Sequence, residues 1–523
     1  MTDLMSNDSR IQENVFAFLT DPVMHPDAKR IDTHAAAVFL DGDRALKIKR
    51  AVRFPFLDYS TLEKRKAACD EEIRINRPFA PQIYRRVVAI TQGRDGTLAI
   101  DGAGMPIEFA VEMTRFDECQ TFDHLAASGP LDRDLVEATA EAIATSHHIA
   151  PPASAERWIA ELPEFIADNT RAFRAAGCFA PTDVDRLDEA SRSAFSGLAG
   201  LLEQRGRQGL VRRCHGDLHL GNIVAINHKP VLFDAIEFDP DIASIDVLYD
   251  LAFTLMDLIR YDQRVAANAL LNRYLGASPI ENLDALCTLP LLMSLRAAIR
   301  AKVLLARLGQ QGCDVTEITK SARGYFELAR QLISPPAPRL IAIGGLSGTG
   351  KSVLARTLAP DVAPLPGAVV VRSDVLRKQQ FAVQETDRLP AHAYQPEITA
   401  RVYEVLVQRA AQILAQGHSA VVDAVFAREA ERTAIRDAAG KLNAGFIGLF
   451  LVADLATRQS RIGRRERDAS DATAEIAGLQ ESYNLGTIDW TTIDASGTPE
   501  QTLKQCQNRI EGQIARREPA QDR

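Results

Sequence analysis

Gly345-Leu346-Ser347-Gly348-Thr349-Gly350-Lys351-Ser352 is the stretch that decides the second half of this chain. It satisfies G-x-x-x-x-G-K-S, follows an apolar run at 340–343 and precedes a helix-forming run at 353–358. In that setting the backbone N–H groups around Gly345, Ser347, Gly348, Thr349 and Gly350 wrap phosphate oxygens and the helix N-terminus adds positive charge. Lys351 then reaches the β- and γ-phosphates of a nucleotide, and Ser352 ligates magnesium. Working outward, apolar runs at 368–371, 419–422 and Gly445–Val452 alternate with helical runs. This pattern predicts a parallel sheet covered on both faces.

Ahead of the loop stands Ser334-Pro335-Pro336-Ala337-Pro338, where three prolines in four positions remove helix donors and fix φ. The sequence therefore predicts a domain over 1–333, a linker over 334–339, a second domain over 340–515 and a polar tail over 516–523. Within the first domain, 36–40 and 45–48 alternate around the turn Asp41-Gly42-Asp43, as in an antiparallel sheet. A charged helix over 61–76 follows, and from Leu131 onward long helical segments dominate. The expected fold class is α/β and α+β: a small β lobe and a large helical lobe, then a parallel-sheet nucleotide domain.

The first domain carries His215-Gly216-Asp217-Leu218-His219-Leu220-Gly221-Asn222. The spacing of Asp217 to Asn222 is that of a kinase catalytic loop, in which the Asp orients the attacking hydroxyl and the Asn holds a metal ion on the phosphates. An apolar run, Val231-Leu232-Phe233, then delivers Asp234. Together these residues resemble the aminoglycoside phosphotransferase and choline kinase group, over about residues 30–330. The resemblance implies that Asp217 is the catalytic base, that Asn222 and Asp234 bind magnesium, and that Asp250 buttresses the loop. Glu237 is a weaker metal candidate. It also implies a strand lysine paired with a helix glutamate; Lys47 with Glu72 is favoured, and Lys49 and Glu71 stay open. No GxGxxG stands between the first strands, so ATP over GTP is not fixed by the sequence.

In the second domain, Val371-Arg372-Ser373-Asp374-Val375-Leu376-Arg377 resembles the polynucleotide-kinase-like and zeta-toxin-like P-loop kinases of AAA type. That resemblance makes Asp374 the general base, with Arg377 holding a substrate anion or positioning the base. Val421-Val422-Asp423 reads as an apolar strand ending in a magnesium-directed acid. Arg458, Arg461, Arg464, Arg465 and Arg467 crowd a segment where this group carries a lid, and Arg461 is taken as a nucleotide contact. The run from Arg467 to Ala472 resembles a lid-end motif without an assigned role.

The 523 residues carry a formal charge of -8, which gives no global attraction to nucleic acid or an anionic bilayer. Seven scattered cysteines without a CxxC pair suit a reduced cytoplasmic protein without structural zinc. The apolar stretch 285–305 contains Arg296, Arg300 and Lys302 and is not read as a membrane span; Arg296 and Arg300, at i, i+4, could face an anionic substrate in the large lobe, and a solvated face is favoured for them. The sequence thus predicts a bifunctional phosphotransferase using ATP and Mg2+ on small-molecule hydroxyls. The alternatives are a nucleotide-binding regulator without turnover and a nucleic-acid 5'-hydroxyl kinase in the second half.

Overall fold

The structure, a computed structural model, describes residues 7–26, 28–54, 57–308, 314–464 and 468–517. It divides into two compact units, Met1–Tyr261 with Leu295–Ala329, and Asp262–Ser294 with Arg330–Arg523.

The first unit opens on a six-stranded antiparallel sheet, ordered Lys29–Asp32, Ala36–Asp41, Arg44–Lys49, Met105–Thr114, Tyr84–Gln92, Leu98–Ile100. Alternation gives each strand two faces. One face buries Ala37, Phe39, Leu46, Ile48, Val88 and Ile90 against Val15 and Phe16 of the helix Asn7–Leu19. The other packs Tyr84 and Val111 on Cys69 of the helix Leu62–Asn76 and on Val224 and Val231. Val224 and Val231 belong to the antiparallel hairpin Ile223–Ile226 with Lys229–Leu232. The apolar core thereby fixes the hairpin that carries the polar loop ends. Long helices, among them Arg133–Ile149, Glu156–Ala176, Pro181–Arg207 and Val247–Arg260, build the remainder.

The second unit holds a five-stranded parallel sheet, ordered Val369–Arg372, Ala420–Asp423, Arg339–Gly345, Gly445–Val452, Thr491–Asp494. Ile341, Ile343, Val421, Leu449 and Leu451 are buried against Leu354 and Leu358 of the helix Lys351–Leu358. Near-continuous apolar strands are what a sheet covered on both faces requires. The carboxyl ends of its strands carry Gly345, Arg372 and Asp423, the end of an open α/β sheet where ligands bind.

One boundary differs from the sequence expectation. Residues 262–294, assigned above to the first domain, group with the second unit. The reason lies in the edge strand Val369–Arg372, which pairs on one side only and leaves backbone groups to be satisfied. Asn272 of the helix Arg264–Ala277 accepts from Val370 N at 2.7 Å, and Asn268 donates to Ala368 O at 3.0 Å. Among the described residues, no helix is long and apolar enough to cross a membrane.

Candidate active sites

Lys47 and Lys49 leave the strand Arg44–Lys49 on one face, two residues apart. Both reach Glu72, which is wholly buried: Lys47 Nζ lies 2.9 Å from Oε1 and Lys49 Nζ 2.6 Å from Oε2. Lys47 continues to Asp234, and Lys49 to Glu237. Burial opposes the charge on Lys47, but Asp234 and Glu72 outweigh it and hold its pKa well above the usual value. Burial likewise opposes ionisation of Asp234, and Lys47 overcomes it, bringing the pKa down to about 2. Asp234 is therefore an anion at any working pH. Glu71, the open alternative to Glu72, turns outward and pairs with Arg74 at 2.6 Å. Glu237, the weaker metal candidate, is held by Lys49 and by the Tyr59 hydroxyl at 3.1 Å.

The loop over residues 215–222 hangs from Asp250. Its carboxylate accepts the His215 N–H at 3.1 Å and the Gly216 N–H at 2.9 Å, with His147 Nε2 at 3.2 Å. His147, Cys214 and Asp250 form a buried cluster, and two backbone donors on the carboxylate give it a loop-fixing role. Asn222 Nδ2 donates to Asp217 O at 2.9 Å and to its Oδ2 at 3.3 Å. The hairpin then returns the chain so that Phe233 N donates to Asn222 O at 3.0 Å, setting Asp234 beside the loop. Asp234 itself takes a left-handed φ of 61°, with its N–H on the Tyr84 hydroxyl at 3.0 Å. The side-chain oxygens of Asn222 and Asp234 are hard donors of the kind magnesium takes, and the permanent charge of Asp234 suits a cation.

In the second unit the glycine loop closes on its own backbone. Gly348 has a φ of 89°, and a Cβ there would meet Arg458 O at 2.6 Å, so no other residue fits without displacement. Lys351 Nζ lies 3.2 Å from Leu346 O, and Gln480 holds the loop through Ser347 N at 2.8 Å and Ser347 Oγ at 3.0 Å. A cavity of about 1190 Å³ opens here; Ser347, Gly348, Thr349, Gly350, Lys351, Ser352, Asp374, Arg377, Asp423 and Arg461 all line it. Of the second-site residues the sequence offered and the structure describes, Gly345, Arg458 and Arg464 are not part of that lining. Burial and the neighbouring Asp423 push the Asp374 carboxyl above its ordinary pKa.

Arg377 is buried, donates to Ala393 O at 2.6 Å and stacks 4.8 Å over Tyr394. Arg461 reaches Ala495 O at 2.7 Å and Gly497 O at 2.6 Å, beside the glycine loop. Arg458 departs from the lid expectation: it is buried and spans Ala477 O at 2.7 Å and Glu481 at 2.9 Å. Arg465 and Arg467 lie outside the described residues. Arg296 and Arg300 also depart from the solvated face expected for them. Arg296 is only 7% exposed and lies 3.8 Å over the Tyr249 ring, while Arg300 is half-buried between Phe253 and Tyr325.

Sequence reasoning passed over Arg372. Its guanidinium meets Ser352 Oγ at 3.1 Å, Asp423 Oδ2 at 3.3 Å and Asp468 Oδ1 at 2.9 Å. The hydroxyl of Ser352 and the carboxylate of Asp423 are magnesium-type donors, and Arg372 marks the space between them as one that holds positive charge. The lid-end motif gains a position too. Asp468 holds Arg372, while Asp471 receives Lys378 at 2.7 Å and the Tyr394 hydroxyl at 2.5 Å. The spacing of its two acids around Ser470 was the available signal.

Two family models match the chain, one in each half. Residues 36–286 match the model of a phosphotransferase enzyme family, and residues 340–483 match that of an AAA domain. Uncharacterized proteins of Mycobacterium tuberculosis and Mycobacterium bovis are each 28% identical over 497 residues, covering 91% of this chain and 94% of theirs. Among solved structures, a choline/ethanolamine kinase family protein from Mesorhizobium loti is similar at 14% identity and TM-score 0.36, over 62% of this chain and 96% of that one. A gluconokinase from Sinorhizobium meliloti is similar at 17% identity and TM-score 0.25, over 35% of this chain and 98% of that one. The chain is an enzyme of the phosphotransferase kind: residues 36–286 match the phosphotransferase enzyme family and residues 340–483 an AAA domain that includes the glycine loop.

Proposed function

We propose that the chain is a bifunctional ATP-dependent phosphotransferase of the cytoplasm, each half moving the γ-phosphoryl group of ATP to a hydroxyl of a small molecule. One observation carries the reading. Glu72, Asp234, Glu237, Asp423, Asp468 and Asp471 are each paired with a lysine or arginine. Among the described residues Asp217 and Asp374 have no such pair, so each is available as a proton acceptor beside a phosphate-gripping lysine.

In the first half Lys47, oriented by Glu72, holds phosphate oxygens while Asn222 keeps Asp217 aimed at the acceptor. In the second, the glycine loop and Lys351 hold the triphosphate and Asp374 faces it across the cavity. At each site the acceptor oxygen bonds to the γ-phosphorus, the bond to the β-γ bridging oxygen breaks, ADP leaves and the hydroxyl proton passes to the aspartate. Magnesium held by Asn222 and Asp234, and by Ser352 and Asp423, would neutralise charge on the β- and γ-oxygens. Asp374, with its raised pKa, accepts a proton more readily than an ordinary carboxylate. Its turnover is expected to rise with pH through a value above the ordinary aspartate range.

The test is a phosphorylation screen of a metabolite pool by mass spectrometry with the parent chain, Asp217→Ala and Lys351→Ala. Products lost in one variant only are expected for each half. A pool that the parent chain leaves unphosphorylated would overturn the reading.

A further inference from the structure

Two ladders face each other in the first unit. Tyr249, Phe253 and Asp257 recur every four residues along the helix Val247–Arg260, and Arg296 and Arg300 do so along Leu289–Leu305. The arginines stack on the aromatics: Arg296 lies 3.8 Å over Tyr249 and 4.7 Å over Phe253, and Arg300 lies 5.9 Å over Phe253 and 5.8 Å over Tyr325. Phe253 also meets the His219 ring edge-on at 5.5 Å, and His219 Nε2 is 3.6 Å from Asp217 Oδ2. The Arg300 guanidinium is thus one aromatic ring away from the catalytic loop.

Arg296 and Arg300 are used differently. Arg296 is buried, donates to Tyr249 O at 3.2 Å and leaves Nη2 buried without a partner. Arg300 has no ion pair among the described residues; it donates to the Tyr325 hydroxyl, and its buried Nε has no hydrogen-bond partner. The nearby acid cannot claim it fully, because Asp257 already accepts Leu220 N at 3.2 Å and the Tyr325 hydroxyl at 3.3 Å. Burial works against the charge on Arg300, yet Asp257, Tyr325 and Asp217 hold its pKa above the usual value, so it is a cation beside the reaction centre. A half-buried guanidinium with unclaimed donors is a fork for a planar or tetrahedral anion.

We propose that Arg300 binds an anionic group of the acceptor, so that the first half phosphorylates a hydroxyl of a carboxylate- or phosphate-bearing small molecule rather than of a cationic amine. This rests on the phosphotransferase reading of that half and narrows it. Asp217 takes the hydroxyl proton while Arg300 fixes the acceptor from the other end. It is a specificity-determining contact, set by the ladder that stacks it.

The experiment uses the full chain carrying Lys351→Ala, which silences the second site, with a non-hydrolysable ATP analogue present. Titration calorimetry compares D-gluconate and α-glycerophosphate with choline and kanamycin; labelled ATP then measures transfer. At least one anion is expected to bind, with the responding anion distinguishing carboxylate from phosphate. Arg300→Gln is expected to weaken that binding by about 10- to 150-fold, the range for a lost charge-assisted contact. Arg300→Lys is expected to recover part of it. Nucleotide affinity of the first site, measured in the same variants, reports folding and is expected to stay within about threefold. Binding of the amines with neglect of both anions, binding of neither anion, or equal anion affinity in Arg300→Gln would overturn the proposal. Anion binding without Asp217-dependent transfer would keep the contact and reject the reaction.

Discussion

The two candidate sites are built by opposite means. The first relies on side-chain charge: Lys47 and Lys49 share Glu72 and fan out to Asp234 and Glu237 inside the protein. The second relies on backbone: a glycine loop at a helix N-terminus with Lys351 resting on a carbonyl, open to a cavity of about 1190 Å³. A charge network is stable only while complete, since removing one member leaves a buried ion uncompensated. A backbone cradle has no such member, because its N–H groups cannot be mutated away. The first site is therefore expected to lose stability and function together, and the second to lose function while its unit stays folded.

The largest expected effects fall on Asp217 and Asp374, the two candidate bases without a lysine or arginine partner among the described residues. Asp217→Asn and Asp374→Asn should each lower the turnover of their own half by about 100- to 10,000-fold, the usual worth of a positioned base, with nucleotide affinity retained. Single-turnover transfer from labelled ATP reads this; a variant that silences both halves would break the claim of independence.

Next comes the charge network. Glu72→Ala should destabilise the first unit by about 3 to 5 kcal/mol, as for a broken buried pair. Glu71→Ala, removing a surface partner of Arg74, should stay within about 1 kcal/mol. Urea unfolding of the two variants gives the contrast, and equal losses would place the pairing wrongly.

A third effect belongs to the second unit. His418 is buried with its ring nitrogen 2.9 Å from Gly367 O, and burial lowers its pKa from 6.5 to about 4. Because the folded value is depressed, its contribution is complete above pH 6.5 and is lost as pH falls toward 4. The loss amounts to about 3 kcal/mol by linkage. Thermal unfolding between these limits should flatten in His418→Gln; an unchanged slope would contradict the assignment. Smallest is Gln480→Ala, which frees Ser347 and should weaken nucleotide binding at the second site by roughly tenfold or less, the worth of one or two neutral hydrogen bonds. Calorimetric titration of the variant measures it, and an unchanged affinity would show that Gln480 does not shape the loop.

The glycine loop was legible because its parts are contiguous, so one stretch of sequence contains both geometry and chemistry. The first site was legible only as far as its spacing. Lys47 and Lys49 are two residues apart, and strand alternation sends both the same way, so no periodicity could choose between them. The structure shows Glu72 receiving both. Gln480 reaches Ser347 from 133 residues away, a contact that only tertiary packing creates. Arg372 was hidden for another reason, and Arg300, though its helical spacing suits an anionic substrate, reads as part of a solvated face. An arginine after an apolar strand or within a mixed helix looks like surface, and only the buried partners, Asp423 for one and Phe253 for the other, reveal a charge kept inside. The grouping of residues 262–294 with the second unit has the same origin, since the need of Val370 N for Asn272 is invisible before the sheet edge exists.

Nucleotide stoichiometry tests the two-site account most directly. Isothermal titration of the full chain with a non-hydrolysable ATP analogue and magnesium is predicted to give two molecules bound per chain, falling to one in Lys47→Ala and to one in Lys351→Ala. A single molecule bound to the parent chain, or either substitution abolishing both, would contradict it.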